Sequence, residues 1–192
     1  MSQKTRKLTT MGILMALIIV LGMLGNFVKI GPFPISLALC PIIIGAALYG
    51  PAAGALLGAV LGIVTIITGI LGWDGGTVML LMSSHPFWCV FVCILKTTAA
   101  GYLAGLVYKA VTSEKETKLG VVLAGIVCPV VNTGIFILSM ILFWKDTLAS
   151  WAGGKNIILF AITGIAGINF LIELAINMIL ASAITLIIKS RK

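Results

Sequence analysis

The chain has 192 residues, of which 60% are hydrophobic and only 9% are charged, and its formal net charge is +8. A mean hydropathy of +1.22 excludes an ordinary soluble domain, because so few polar side chains cannot cover so much apolar surface. A nucleic-acid-binding domain is excluded as well, since the positive charges do not form a soluble basic face. We therefore predict one integral membrane domain over residues 1–192.

Apolar segments follow one another along the chain, and each is a candidate membrane-spanning helix, which needs about 20 apolar residues. The second segment is short and contains Pro41, so we expect it to be tilted, kinked or only partly spanning. The last is long, and its span should begin near Ile165. The sequence predicts an all-α membrane protein with six transmembrane helices, in the segments Leu8–Gly25, Ile35–Tyr49, Ala52–Leu71, Phe87–Tyr108, Leu119–Phe143 and Ile157–Ile188.

The cations indicate which side of the membrane each connecting segment occupies. Three clusters precede the first span, separate the fourth span from the fifth and follow the last span; they comprise Lys4, Arg6, Lys7, Lys109, Lys115, Lys118, Lys189, Arg191 and Lys192. The loops on the other side contain only Lys29, Lys145 and Lys155. Because cytoplasmic loops are enriched in Lys and Arg, we predict that both the N and C termini are cytoplasmic.

Small residues recur at four-residue spacing in several spans, which allows helix backbones to approach closely in a membrane. In the third and fourth spans, Gly54–Gly62 and Gly101–Gly105, we expect this spacing to serve packing within the chain. In the first span the pair is Gly12 and Ala16. For this pair the spacing leaves open whether the face packs within the chain or docks another membrane protein.

The most informative polar residues lie inside the last span, where Asn169, Glu173 and Asn177 share one helical face. A carboxylate near the bilayer centre costs roughly 2.5–3.5 kcal/mol on insertion scales, so it usually faces a partner or a ligand. Counting helical rise from the cationic ends places Lys96 and Asn132 at a similar depth.

We predict a ligand site formed by the fourth to sixth spans, with the substrate-binding residues Lys96, Asn132, Thr133, Asn169, Glu173 and Asn177. The alternative is that Lys96 and Glu173 form an ion pair that merely ties helices together.

Residues 69–85 form one of the longer predicted outward loops and contribute two more candidates, Trp73 and His85. Trp73 is also explained as an aromatic residue at the headgroup level, and a role as gate or ligand contact is the alternative. His85, Cys89 and Cys93 have a spacing that could suit a soft metal. However, Pro86 restricts His85 to an extended conformation and no fourth ligand is evident, so we predict no metal site.

Several motifs together resemble the substrate-binding S components of energy-coupling factor (ECF) vitamin transporters. Residues 30–54 look like the loop, second helix and following turn of these proteins, and residues 104–109 like the end of their fourth helix. The pair Asn132-Thr133 and the pattern Gly167-x-Asn169-x-x-x-Glu173 agree with the fifth and sixth helices. The resemblance covers most of the chain.

This resemblance implies a high-affinity substrate-binding subunit in a bacterial plasma membrane, crossing it several times. In the family, helices 4–6 capture a vitamin in an outward-facing cavity and two loops act as a lid. The subunit then topples on docking to a transmembrane coupling subunit and two ATPase subunits. Gly12 and Ala16 match the docking face. The chain itself would be no enzyme and bind no cofactor, because the ATP is used by the partner ATPases.

The motifs of the second and sixth helices look most like the pantothenate type, although Cys40 replaces the usual His before the Pro. We rank pantothenate first, ahead of folate, riboflavin and biotin. An alternative from another class is a stand-alone secondary carrier or channel coupled through Glu173.

Overall fold

A computed structural model of the chain describes residues 3–27, 29–30, 33–34, 36–112 and 117–191. Within these ranges only the backbone is described at 29–30, 33–34, 117, 165–166, 168–169, 181–182 and 187–191. The described part is almost entirely helical. In chain order its elements are α1 (Gln3–Gly25), β1 (Lys29–Ile30), β2 (Phe33–Pro34), α2 (Leu39–Tyr49), α3 (Pro51–Ile70), α4 (Thr77–Ser84), α5 (Pro86–Val111), α6 (Thr117–Phe143), α7 (Lys145–Ala152), α8 (Ile157–Phe160), a π-helical turn (Ala161–Ala166) and α9 (Gly167–Arg191).

The all-α prediction is confirmed, apart from the short antiparallel pairing of β1 with β2. Each predicted apolar segment contains a helix. In the described part of the chain, four helices are long and apolar enough to cross a membrane, namely α1, α3, α5 and α6. The second apolar helix, α2, has only 11 residues and is therefore about 16 Å long, as its short segment led us to expect. The six spans and the cytoplasmic termini stay predictions.

Prolines and glycines set several of the helix boundaries. Gly50 has φ 90°, which favours glycine, and it turns the chain between α2 and α3; Pro51 then opens α3. Pro86 opens α5 in the same way, and the preceding His85 has φ −142° and ψ 75°. His85 thus lies outside the α region, as expected before a proline, but its ψ is smaller than that of the extended conformation that was predicted.

Helices α3 and α5 pack more extensively than any other pair of elements. A Cβ atom added to Gly54 would overlap the carbonyl oxygen of Gly101, and one added to Gly58 would overlap that of Thr97. At Gly62 the added atom would lie 2.8 Å from the carbonyl oxygen of Cys93. The small-residue face of α3 therefore serves packing within the chain, which confirms the prediction for this pair of helices.

Two apolar clusters divide the interior along α5 and α6. One contains Ala100, Ala104 and Tyr108 of α5 together with Val121 and Cys128 of α6. The other contains the opposite ends of the same helices, where Cys89 and Met140 lie, and it extends to α4 and α7. Lys96 of α5 and Asn132 and Thr133 of α6 lie along these helices between the two clusters, where they line a cavity.

Candidate functional site

A cavity opens between α1, α3, α4, α5, α6 and α9 and the segment before α2. Its volume is about 140 Å³, counted as space open to the centre of a water molecule. Long apolar side chains such as Leu61, Leu81 and Phe170 form part of its wall. Its polar lining residues are Asn26, Ser36, Thr65, Thr68, Asp74, Thr77, Cys93, Lys96, Asn132, Thr133 and Glu173.

Glu173 is the buried carboxylate of this cavity, with only 7% of its surface exposed. The backbone N–H of Ser36 donates a hydrogen bond of 2.7 Å to its Oε1 atom. The other carboxylate oxygen, Oε2, is buried and has no hydrogen-bond partner among the described residues. A buried acceptor without a donor is costly, so a hydrogen-bond donor that reached Oε2 would stabilise the buried carboxylate.

Asn132 provides a second acceptor of the same kind. Its side chain is 6% exposed, and its Oδ1 atom is buried without a hydrogen-bond partner in the described part of the structure. Asn132 belongs to α6, whereas Glu173 belongs to α9. Two helices thus bring unsatisfied oxygens to the wall of one cavity, where a molecule with hydrogen-bond donors would relieve both.

Lys96 supplies positive charge from α5. Its Nζ atom lies 4.8 Å from the centre of the Phe136 ring, a cation–π contact within the cavity wall. Glu173 Oε2 receives no hydrogen bond from Lys96 or from any other described residue. Among the described residues, Lys96 and Glu173 Oε2 therefore do not form the hydrogen-bonded ion pair that the sequence left open.

Asp74 is a second carboxylate in the lining, and its oxygens are both used by the backbone. Oδ1 accepts a 2.9 Å hydrogen bond from Gly76 N–H and Oδ2 accepts a 2.7 Å hydrogen bond from Val78 N–H. These bonds satisfy donors at the start of α4, where a negative charge is also favoured by the helix dipole. Asp74 thereby fixes the helix that presents Thr77, Val78 and Leu81 to the cavity.

The structure brings together Lys96, Asn132, Thr133 and Glu173 of the predicted site, since all of them line the cavity. The side chain of Asn169 lies outside the described residues. Whether these residues bind a substrate stays a prediction, but their convergence from α5, α6 and α9 is a property of the fold.

Asn177 is buried but makes its contacts within the protein. Its Nδ2 atom donates a 3.3 Å hydrogen bond to the carbonyl oxygen of Gly125. Its Oδ1 atom accepts a 3.0 Å hydrogen bond from the Cys40 thiol. The Asn177 amide therefore joins α9 to α6 and α2. Asn177 itself is not among the cavity-lining residues.

Trp73 and His85 are not among the residues that line the cavity. The Trp73 ring packs against Phe27 with a centroid separation of 5.8 Å. His85 is exposed, and its ring meets that of Trp144 edge-on at 6.0 Å. Among the described residues no group of His, Cys, Asp or Glu side chains has the arrangement of a metal site. Asp74, the residue after Trp73, lines the cavity where we had predicted Trp73.

Sequence reasoning missed several lining residues, including Ser36, Asp74, Phe136 and the threonines Thr65 and Thr68 of α3. The sequence could have predicted that Asp74 caps a helix, because Asp is favoured just before a helix, but it could not have predicted that Asp74 lines the cavity. Ser36 could not have been predicted either, because it acts through its backbone N–H.

A family model described as ECF transporter, substrate-specific component matches residues 6–187. The chain belongs to this family. It is also 28% identical over 192 residues to the pantothenic acid transporter PanT of Lactococcus lactis subsp. cremoris (strain MG1363), which covers 94% of this chain and 92% of that protein. The protein is therefore a multi-pass membrane protein, a component of a transporter in the bacterial plasma membrane, and it is not itself an enzyme.

Proposed function

We propose that this protein is the substrate-binding subunit of an ATP-driven ECF importer and that its vitamin is pantothenate. The observation that carries the proposal is the joint presence, in one cavity, of the Lys96 ammonium and two buried oxygens without donors, Asn132 Oδ1 and Glu173 Oε2. The 28% identity to a pantothenic acid transporter supports the choice of vitamin.

Pantothenate has the chemical groups that this cavity needs. Its carboxylate can meet the Lys96 ammonium, and its hydroxyl and amide groups are hydrogen-bond donors for Asn132 and Glu173. Its branched dimethyl carbon suits the apolar wall made by residues such as Leu61 and Phe170. A site with desolvated polar groups discriminates sharply against compounds that leave those groups unpaired.

The transport step requires partners. On this proposal the chain crosses the membrane six times with cytoplasmic termini, docks a transmembrane coupling subunit served by two ATPases, and topples to release the vitamin inside. Gly12 and Ala16 are both exposed on α1, and a side chain added at Gly12 would meet nothing within 4 Å. This open small-residue face supports close approach of a partner helix.

Calorimetric titration of the purified protein against pantothenate, folate, riboflavin and biotin tests the proposal. We expect saturable binding of pantothenate at one site and much weaker binding of the others. Reconstituted liposomes separate the importer from a stand-alone carrier. Uptake should require both the coupling module and ATP, and uptake by this chain alone would contradict the proposal.

A further inference from the structure

Helix α4 forms a wall, one helix thick, between the cavity and the surroundings of the protein. Thr77, Val78 and Leu81 line the cavity, and Val78 and Leu81 are buried. Met79 and Leu80 lie on the other side of the helix and are exposed. The contacts that hold α4 in place therefore also determine the shape of this side of the cavity.

Contacts from neighbouring elements hold α4, which has only 8 residues and would be marginal as an isolated helix. The Asp74 carboxylate accepts two backbone N–H groups at its start. Val78 packs on the end of α3, where a Cβ atom added to Gly69 would overlap its side chain. From α5, the Cys89 thiol lies 3.8 Å from the Val78 carbonyl oxygen, to which it donates a weak hydrogen bond. These contacts leave the C-terminal turn of α4 to another residue.

That residue is Trp144, which lies between α6 and α7 and is buried. Its Nε1–H donates to the Leu81 carbonyl oxygen at 3.0 Å and to the Ser84 hydroxyl oxygen at 3.1 Å. Leu81 thus contributes its side chain to the cavity wall and its carbonyl oxygen to Trp144. Because Trp144 does not line the cavity, it would affect a bound ligand through Leu81 of α4.

We infer that Trp144 is a positioning residue for substrate binding, which holds the α4 wall in the arrangement that the ligand contacts. This inference rests on the proposed function, because it takes pantothenate as the ligand. A wall that is already fixed in the free protein need not be ordered when the ligand binds. It also retains the ligand, because local opening of a wall is a route of escape. Loss of the Trp144 hydrogen bonds should therefore raise the dissociation rate above all.

Trp144→Phe tests the inference, because it removes the Nε1–H donor and retains an aromatic ring. The last turn of α4 should remain formed, since the Leu81 carbonyl oxygen also accepts a 3.1 Å hydrogen bond from His85 N–H. We expect radiolabelled pantothenate to dissociate roughly 3- to 10-fold faster, the equivalent of one lost hydrogen bond, with little change in the association rate.

Trp88→Phe is the matched control. Trp88 is exposed, its ring stacks on that of Phe143 at 4.1 Å, and it does not line the cavity. The same substitution at this position should leave both the association and the dissociation rates of pantothenate unchanged.

A second variant distinguishes positioning of the wall from general stabilisation of the fold. Leu81→Ala removes the side chain that lines the cavity and keeps the carbonyl oxygen that Trp144 contacts. If Trp144 acts through Leu81, Trp144→Phe should accelerate dissociation much less in the Leu81→Ala background than in the wild-type background. A Trp144 with a merely structural role would lower the melting temperature in both backgrounds, and the two effects on dissociation would multiply.

The inference is overturned if Trp144→Phe releases pantothenate at the wild-type rate, if the Trp88→Phe control accelerates release as much, or if the effects of Trp144→Phe and Leu81→Ala multiply. If Trp144→Phe does not fold, Ser84→Ala removes one of the two acceptors at an exposed residue. Release from Ser84→Ala that is about twofold faster then supports the inference, and release at the wild-type rate overturns it. A wild-type protein that binds no pantothenate overturns the proposed function, and this inference with it.

Discussion

Ser36 and Glu173 are joined by a 2.7 Å hydrogen bond from the Ser36 backbone N–H to the carboxylate Oε1 atom. The two residues are 137 positions apart, so the bond ties the segment before α2 to the last long helix. Because the same carboxylate leaves Oε2 unpartnered at the cavity, the group that holds this segment is also the group expected to meet the ligand.

The Ser36 amide should report on this bond directly. In Glu173→Leu the acceptor is gone, and we expect hydrogen exchange at Ser36 N–H to accelerate about 5- to 100-fold, the equivalent of one lost hydrogen bond. In Glu173→Gln an amide oxygen replaces the carboxylate oxygen, so exchange should stay close to the wild-type rate. Hydrogen–deuterium exchange of the purified variants provides the measurement. Equal rates in both variants would show that the bond does not protect this amide.

The contact between Cys40 and Asn177 should stabilise the fold. Cys40→Ala removes the donor to Asn177 Oδ1, and we expect it to lower the free energy of unfolding by about 1 kcal/mol, the usual scale for hydrogen bonds between membrane helices. Cys40→Ser retains a donor and should lose less. Thermal unfolding in detergent compares the two variants, and the prediction fails if Cys40→Ala is as stable as Cys40→Ser.

The close approach of α3 to α5 should make Gly58 intolerant of any side chain. In Gly58→Ala the new methyl group would overlap the Thr97 carbonyl oxygen, and overpacking of this kind costs about 1–3 kcal/mol of stability. Gly134→Ala is the matched control, since a Cβ atom there meets nothing within 4 Å. Melting temperatures of the two variants provide the comparison. A Gly58→Ala protein as stable as the control would contradict the packing described for these helices.

The exposed α1 face should matter for uptake and not for binding. Ala16→Trp places a bulky ring on this small-residue face, so it should abolish ATP-driven uptake with the coupling module while the affinity for pantothenate stays unchanged. Leu138→Trp changes a residue of α6 that is also exposed and should retain uptake. Normal uptake by Ala16→Trp would refute a docking role for this face.

Hydropathy was sufficient to predict that each apolar segment contains a helix, but it did not predict α4, which lies within the segment 69–85 that was expected to be a loop. The convergence of Lys96, Asn132, Thr133 and Glu173 was also foreseen, since helical rise gives each residue a depth. The depth of a residue in the membrane does not predict which group its side chain contacts. Asn177 shares a face of α9 with Glu173, yet it lies one turn farther along the helix. There its side-chain amide forms hydrogen bonds with Gly125 and Cys40.

Contributions from the backbone and from loops were beyond the reach of sequence reasoning. The loop after α3 turns Asp74 into the cavity and leaves Trp73 against Phe27, and no periodicity distinguishes these neighbours. Similarly, the residues of α3 that line the cavity, Thr65 and Thr68, look like ordinary polar interruptions of an apolar helix until the position of α5 is known.

Labelling of the Cys93 thiol through a mixed disulfide tests the central claim, that the substrate occupies this cavity, most directly. Cys93 is the cysteine that lines the cavity in the described structure. In the variant Cys40→Ser, Cys89→Ala, Cys128→Ala it can be labelled alone with a small methanethiosulfonate. We predict that saturating pantothenate slows this labelling severalfold and that riboflavin at the same concentration does not. A labelling rate that is unchanged while pantothenate is demonstrably bound would place the vitamin elsewhere and contradict the account.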